Sequence, residues 1–414
     1  MLAFVLVTSL FFMWAIAHNM NDILIRQFQK ALDLSRGQSG FIQFAFYLGY
    51  FFMALPAGYV MKRFGYKNGI LLGLLFYMAG ALLFYPAAEA QSYLFFLVAL
   101  FVIASGLTFL ETAANPYITV MGNPEKGPQR LNLAQSFNGL GAAVAPLLGG
   151  LFIFSGIELS ETELNAMSTE ALNAYRAAEA RAVQVPYLVI AAIVGLIALL
   201  IFLTKMPHII APSGNAVPQD GRGRSRIREL MSSRQLKFAV LAQFFYVGAQ
   251  VCIWSYFIDY CIEVMPDTPE KTAAYYLSLS LFFFMIGRFL GTFLMHFVSP
   301  TRLLAAYAVI AVALCTTAVV ADGMPAVIAL GLISPCMSIM FPTIFALGIR
   351  GLGGNTEIGS SLIIMAIIGG AIFPPCMGFF ADFATVQLSV LLPLTCFVVV
   401  FLFALYEMQS QEPV

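Results

Sequence analysis

Charge is what this sequence has least of. Only 10% of its 414 residues are Asp, Glu, Lys or Arg, against 60% hydrophobic, and the mean hydropathy is +0.87. Soluble domains carry about 25% charged residues, so the composition excludes one and requires an integral membrane protein. Net charge is zero and there is no basic tail, which leaves no nucleic-acid signature. No Gly-x-x-x-x-Gly-Lys-Ser/Thr phosphate loop occurs, so the chain carries no nucleotide motor and must draw on an ion or substrate gradient. Cysteine is scarce and confined to the second half: Cys252, Cys261, Cys315, Cys336, Cys376 and Cys396 lie in or beside apolar runs without metal-ligand spacing. They read as buried reduced thiols, with no metal and no cofactor expected. No Asn-x-Ser/Thr acceptor is present, which argues against a glycoprotein of the secretory route. Two Trp against 39 Phe suit lipid-facing helices.

The apolar segments run about 20–28 residues, a helical span rather than a barrel strand. They predict an all-α membrane protein of twelve transmembrane helices, near 2–25, 38–62, 69–88, 92–121, 130–155, 184–204, 236–262, 271–297, 302–321, 324–349, 357–381 and 386–406. The first, apolar from Leu2 to Met20, lacks a charged leader and a small-residue cleavage site and is expected to be a retained span. A Gly/Pro/Arg-rich stretch, 205–235, divides an N-terminal six-helix bundle (1–204) from a C-terminal one (236–414). The mixed-charge, Ala-rich loop 156–182 is expected to form a short surface helix without chemistry. With both termini in the cytoplasm, fourteen of the 21 Lys and Arg fall in cytoplasmic loops and six in outer loops. That bias favours this orientation in an inner membrane.

The halves echo one another. Gly141-Ala-Ala-Val-Ala-Pro146-Leu-Leu-Gly-Gly150-Leu-Phe152 in the fifth span matches Gly369-Gly-Ala-Ile-Phe-Pro374-Pro-Cys-Met-Gly378-Phe-Phe380 in the eleventh. Leu55-Pro-Ala-Gly58-Tyr-Val-Met-Lys-Arg-Phe64 in the second span likewise runs parallel to Arg288-Phe-Leu-Gly291-Thr-Phe-Leu-Met-His-Phe297 in the eighth. Matches in one chain direction at equivalent places are the mark of a parallel repeat, with a substrate site at the repeat interface.

Polar residues inside spans are where chemistry is expected. Glu111 sits in the middle of the apolar run from Tyr93 to Met121, with Asn115 one turn on. A charge near the bilayer centre costs roughly 2.5–3.5 kcal/mol on insertion scales, so Glu111 should face a protein-lined or wet cavity. On the first span, Trp14, His18 and Asp22 fall at i+4 steps on one face, flanked by Asn19 and Asn21. An aromatic plate, a titratable ring and a carboxylate on one stripe suit a sugar. Asp22 as a solvated end residue and His18 as a satisfied interior histidine are the alternatives. Desolvation favours the neutral form of a carboxyl, and one that is neutral when loaded and charged when empty is a natural proton carrier. Asn132, Gln135 and Asn138 form an amide ladder on the fifth span, able to donate to and accept from a polyol. Inter-helix glue is the rival reading. Gln243, Tyr246, Gln250 and Trp254 make a second stripe on the seventh, structural or substrate-lining. Arg288, the one basic residue within a span, is expected to act as a gate or as partner to a carbonyl or carboxylate. Tyr275, Tyr276, Asn355, Ser360 and Ser361 are weaker cavity candidates.

Gly58-Tyr-Val-Met-Lys62-Arg63-Phe-Gly65-Tyr-Lys67 resembles the signature between the second and third spans of the major facilitator superfamily. Lys62 stands where that family has an acidic residue, so the gating relay assigned to the acid does not carry over. Phe12-Met-Trp14-Ala-Ile-Ala-His18-Asn-Met-Asn-Asp22, Leu110-Glu111-Thr-Ala-Ala-Asn115-Pro116 and Arg130-Leu-Asn-Leu-Ala-Gln135-Ser-Phe-Asn138 are similar to the fucose permease branch, which couples L-fucose to protons. Trp254-Ser-Tyr, Ile286-Gly-Arg288-Phe and Ile339-Met-Phe-Pro342-Thr-Ile-Phe continue the likeness along the chain. The resemblance implies proton coupling at Asp22 and Glu111 and a required amide at Asn138. His18 stands where the branch has an asparagine, which leaves open a shifted sugar preference or pH optimum.

Together these expectations describe a monomeric, non-enzymatic carrier importing a neutral monosaccharide with a proton by alternating access. Trp14, His18, Asn19, Asn115, Gln135, Asn138, Gln250 and Trp254 would bind sugar, while Lys62, Arg63 and Arg288 would gate. A sodium-coupled hexose carrier and a multidrug/proton antiporter are the alternatives, and the amide ladder argues against the second.

Overall fold

The computed structural model describes residues 2–32, 34, 36–121, 123–153, 161–204 and 233–410. Most of the expected linker, 205–232, lies outside them, and so does the side chain of Asp22, of which only the helical backbone is described. Among the described residues there are helices and no strand. Ten helical segments are long and apolar enough to cross a membrane, and the first and fifth helices complete twelve.

The first half comprises Leu2–Leu32, Arg36–Phe64, Tyr66–Glu89, Tyr93–Val120, Gly127–Phe152 and Gln184–Leu203. The second comprises Arg234–Ser255 with Phe257–Val264, Glu270–Leu294, Pro300–Val320, Gly323–Met337 with Met340–Ile349, Thr356–Met365 with Gly369–Phe383, and Leu391–Gln409. Without water in a bilayer core every backbone group must be paired internally, which is why the spans are helical almost throughout. The first helix runs beyond the expected end near residue 25, so Asp22 stands within a helix rather than at its tip.

Helices in lipid associate by close packing, and small residues allow it. Gly106 of the fourth span is pressed on the third: a Cβ there would fall 2.5 Å from Tyr77 N and 2.6 Å from Gly73 O. The loop before the sixth span is more than a surface helix. Thr169–Arg181 begins at Ser168, whose hydroxyl accepts from Ala171 N, and docks on the first span. Gln27 Nε2 donates to Glu179 O at 2.8 Å and to its Oε2 at 2.6 Å, and both side chains are buried.

The two halves meet along two main seams, the second span against the eleventh and the fifth against the eighth. Exchanging second with eighth and fifth with eleventh maps one seam onto the other, as a parallel repeat requires. The side of the molecule holding the ends flanking residues 205–232 is called the linker side below. Hydrogen bonds between the halves run from that side to the middle. Lys62 Nζ reaches Asn355 Oδ1 at 3.5 Å, Gln129 Nε2 donates to Thr292 O at 3.4 Å, and Asn132 Nδ2 donates to Thr343 Oγ1 at 3.2 Å. Gly58 is packed so tightly on the eleventh span that a Cβ would overlap Ser361 Oγ. The linker side is closed.

Candidate functional site

Proline shapes the polar centre twice. Pro116 lacks the N–H that would bond the carbonyl four residues back, which leaves Thr112 O free inside the fourth span. Ser360 Oγ of the eleventh span donates to that oxygen at 3.0 Å. In the tenth span Pro342 stands in the same relation to Ser338, the helix breaks at Ser338–Ile339, and Arg288 Nε donates to Ser338 O at 3.1 Å. Thr112-Ala-Ala-Asn-Pro116 and Ser338-Ile-Met-Phe-Pro342 are thus equivalent devices in equivalent spans of the two halves. In each the freed carbonyl is satisfied by another helix, which is how a membrane protein tolerates proline.

Arg288 is 4% exposed and crosses the interface. Besides Ser338 O, its Nη1 donates to the backbone carbonyl of Gln135, to Gln135 Oε1 at 3.3 Å and to Asn138 Oδ1 at 2.9 Å. Its guanidinium lies 4.6 Å from the ring centroid of Phe284, and Phe284 meets Trp254 edge to face at 5.0 Å. Trp254 Nε1 donates to Ser334 Oγ at 3.1 Å, and Ser280 Oγ donates to the same oxygen at 2.7 Å. Gln135 Nε2 in turn donates to Asn115 Oδ1 at 3.2 Å. One connected network therefore joins Asn115, Gln135 and Asn138 of the first half to Arg288, Phe284 and Trp254 of the second. Asn115 Nδ2, by contrast, is buried without a partner.

Glu111 is 7% exposed and points into the protein. Tyr50 Oη of the second span donates to its Oε1 at 2.7 Å, and among the described residues Glu111 makes no ion pair. A carboxylate held by a neutral donor rather than in an ion pair can gain and lose a proton without breaking a salt bridge.

His18 is half-buried and packs edge to face on Phe46 at 5.1 Å. Asn19 is half-buried and bonds its own helix at Ala15 O, 2.7 Å. Trp14 is 2% exposed, its ring 4.2 Å from that of Phe11, so it stands in the packed interior of the first half. Gln250 and Trp254 are half-buried, whereas Gln243 and Tyr246 of the same stripe are buried. The hydroxyl of Tyr246 is engaged by Met337 O at 2.9 Å. Arg63 and Tyr275 are exposed, and Arg63 donates to Tyr59 Oη at 3.4 Å and lies 5.4 Å from the ring centroid of Phe64. The half-buried polar side chains His18, Asn19, Asn138, Gln250 and Trp254 lie at the middle of the molecule or beyond it, away from the linker side.

Tyr50, Phe284 and Ser334 were not expected from sequence. Tyr50 and Phe284 lie in aromatic runs where every residue looks lipid-facing, and Ser334 carries no signal of its own. The carbonyls of Thr112 and Ser338 did have one, a Ser or Thr four residues before a proline within a span. All six cysteines are free, five of them buried and Cys376 exposed. Among the described residues no group of His, Cys, Asp or Glu could hold a metal. A cleft of about 250 Å³ between the eighth and tenth spans is lined by Leu279, Phe283, Ile328 and Leu332. Its lining is mostly apolar and includes Ser280, whose hydroxyl donates to Ser334 Oγ of the network.

Comparison with known proteins agrees with this geometry. The chain is 49% identical over 409 residues to the L-fucose-proton symporter of Escherichia coli (strain K12), covering 98% of this chain and 93% of that one. It is 37% identical over 409 residues to the glucose/galactose transporter of Brucella abortus biovar 1 (strain 9-941), covering 97% and 93%. The crystal structure of the major facilitator superfamily transporter FucP in the outward conformation superposes with a TM-score of 0.91 at 48% identity, covering 98% and 99%. The description Major Facilitator Superfamily matches residues 2–363. These relatives are transporters, not enzymes, and this chain belongs to the major facilitator superfamily.

Proposed function

We propose that this protein is a proton-coupled symporter that imports a neutral monosaccharide, L-fucose or a galactose-like sugar, by alternating access. The observation that carries this is Glu111: a buried carboxyl held by the Tyr50 phenol and making no ion pair among the described residues, beside an amide network that spans two halves. Glu111 and Asp22 exchange protons with solution. Gln135 and Asn138 bond sugar hydroxyls, with Asn115, His18, Asn19 and Gln250 completing the polar wall. Trp254 is the better stacking face, because it is only half-buried where Trp14 is buried.

Residues 1–204 and 236–414 are the two rocking bodies, joined by the linker 205–235. Lys62, with Asn355, and Arg63 close the linker side, and Arg288 links the halves at the site itself. Coupling requires the sugar to bind the protonated form more tightly, since a ligand without differential affinity shifts no equilibrium. The protein works as a monomer in the cytoplasmic membrane with both termini inside. The similarity to an L-fucose-proton symporter and to a glucose/galactose transporter supports a sugar of this class.

Uptake of radiolabelled L-fucose is the test, in competition with D-arabinose, D-galactose, D-glucose and D-mannose, with and without sodium. Sodium-independent uptake, blocked best by L-fucose or D-galactose, is expected. Uptake that required sodium would replace the proton by sodium as the coupling ion. Transport of lipophilic cations and not of sugars would overturn the assignment.

A further inference from the structure

Tyr50 is fully buried, and among the described residues its hydroxyl bonds Glu111 Oε1 at 2.7 Å. Its ring packs on Phe46, centroids 5.5 Å apart, and Phe46 is the ring on which His18 rests. One turn earlier on the same helix, Tyr47 lies against the eleventh span: a Cβ on Gly370 would fall 2.8 Å from the Tyr47 hydroxyl. The helix that holds Glu111 is therefore the helix that seals the seam between the halves.

A phenol donates to a carboxylate, and a hydrogen bond to an ionised acceptor is about twice as strong as a neutral one. Once Glu111 is protonated, the carboxyl has a donor of its own and its hold on Tyr50 weakens. We infer that Tyr50 is the positioning residue for proton exchange at Glu111, holding the charged carboxylate in the interior and loosening when Glu111 takes a proton. This rests on the proton-coupled reading above. The proton passes from solution to a Glu111 oxygen and back to solution, and Tyr50 keeps its own.

The other titratable or charged groups around the pair are few. Tyr47 and Tyr77 lie beside Tyr50, Arg288 toward Glu111, and His18 beyond Phe46; the side chain of Asp22 is outside the described residues. Tyr77 Oη donates to Met13 O at 3.1 Å, and Arg288 is engaged by Ser338, Gln135 and Asn138. Neither competes with Tyr50 for the carboxylate.

The test is the pH dependence of L-fucose and D-galactose binding to the purified full-length protein. In Tyr50→Phe the midpoint of the profile should move to higher pH by about one unit, because the charged form loses a donor worth that much. In Glu111→Gln that transition should vanish, and adding Tyr50→Phe should change nothing further. Infrared titration of the Glu111 carboxyl band, identified by its loss in Glu111→Gln, reads the same shift without sugar. A Tyr50→Phe midpoint equal to the parent's would overturn the inference. So would an equal loss of affinity at every pH in both backgrounds, which is what a merely structural phenol predicts. A parent whose binding ignores pH would instead overturn the proton-coupled reading itself.

Discussion

Arg288 of the eighth span donates to Asn138 of the fifth at 2.9 Å, and the two side chains belong to different halves of the molecule. The same guanidinium holds Ser338 O, a carbonyl that Pro342 has left without its helical donor. A buried cation is thus satisfied by carbonyls and amides rather than by a carboxylate, and it fixes the amides that a sugar would meet.

Replacing Arg288 should therefore disturb binding as well as movement. Arg288→Gln leaves Gln135 O and Asn138 Oδ1 short of a donor, a loss of about 1–3 kcal/mol per group. Sugar affinity should fall at least tenfold. Arg288→Lys should not rescue it, because an ammonium cannot reproduce a fork that reaches Ser338 and Asn138 together. Binding isotherms for both variants check this.

Pro342→Ala supplies an N–H able to reach Ser338 O within the helix. Arg288 then competes with that N–H for the carbonyl, and the bend in the tenth span should relax. Slower transport at nearly unchanged protein stability is expected, read as initial uptake rate against Tm.

Gly58 reports on closure of the linker side. A Cβ at that position would overlap Ser361 Oγ and lie 2.9 Å from Glu357 O, which is backbone and cannot swing away. Gly58→Val should hold that seam apart. A cysteine introduced at Ser360 should react with linker-side thiol reagents faster in this variant than in the parent, and uptake should fall.

Packing between the third and fourth spans is equally tight at Gly106, which lies against the backbone of Gly73 and Tyr77. Gly106→Val should cost about 1–3 kcal/mol or more by overpacking, seen as a lowered Tm in detergent with or without sugar.

How much of this could be read from sequence follows from how local each feature is. An acid in the middle of an apolar run has to be sheltered whatever the fold, so the interior place of Glu111 could be foreseen. The amides of the fifth span share a helix face by spacing alone, so Gln135 and Asn138 could be grouped. Tyr50 could not be singled out, because its partner is 61 residues away and nothing distinguishes it from the aromatics around it. Trp14 and Trp254 looked alike as stacking plates. Only packing separates them, the first buried against Phe11 and the second half-buried with an edge-to-face contact to Phe284. Glu179 looked like one acid of a solvated loop and proved to be buried on Gln27, a contact across 152 residues.

Glu111→Gln separates binding from coupling. It mimics a permanently protonated carboxyl, so sugar binding and counterflow should survive while accumulation against a gradient fails. Radiolabelled counterflow and uphill uptake in the same vesicles check both halves of that statement.

Sugar-dependent proton movement tests the coupling most directly. Adding L-fucose or D-galactose to cells carrying the protein in a lightly buffered medium should make the medium alkaline, and Glu111→Gln should abolish the change. Sugar entering at the parent's full rate with no pH change would contradict proton symport and leave Glu111 without its role.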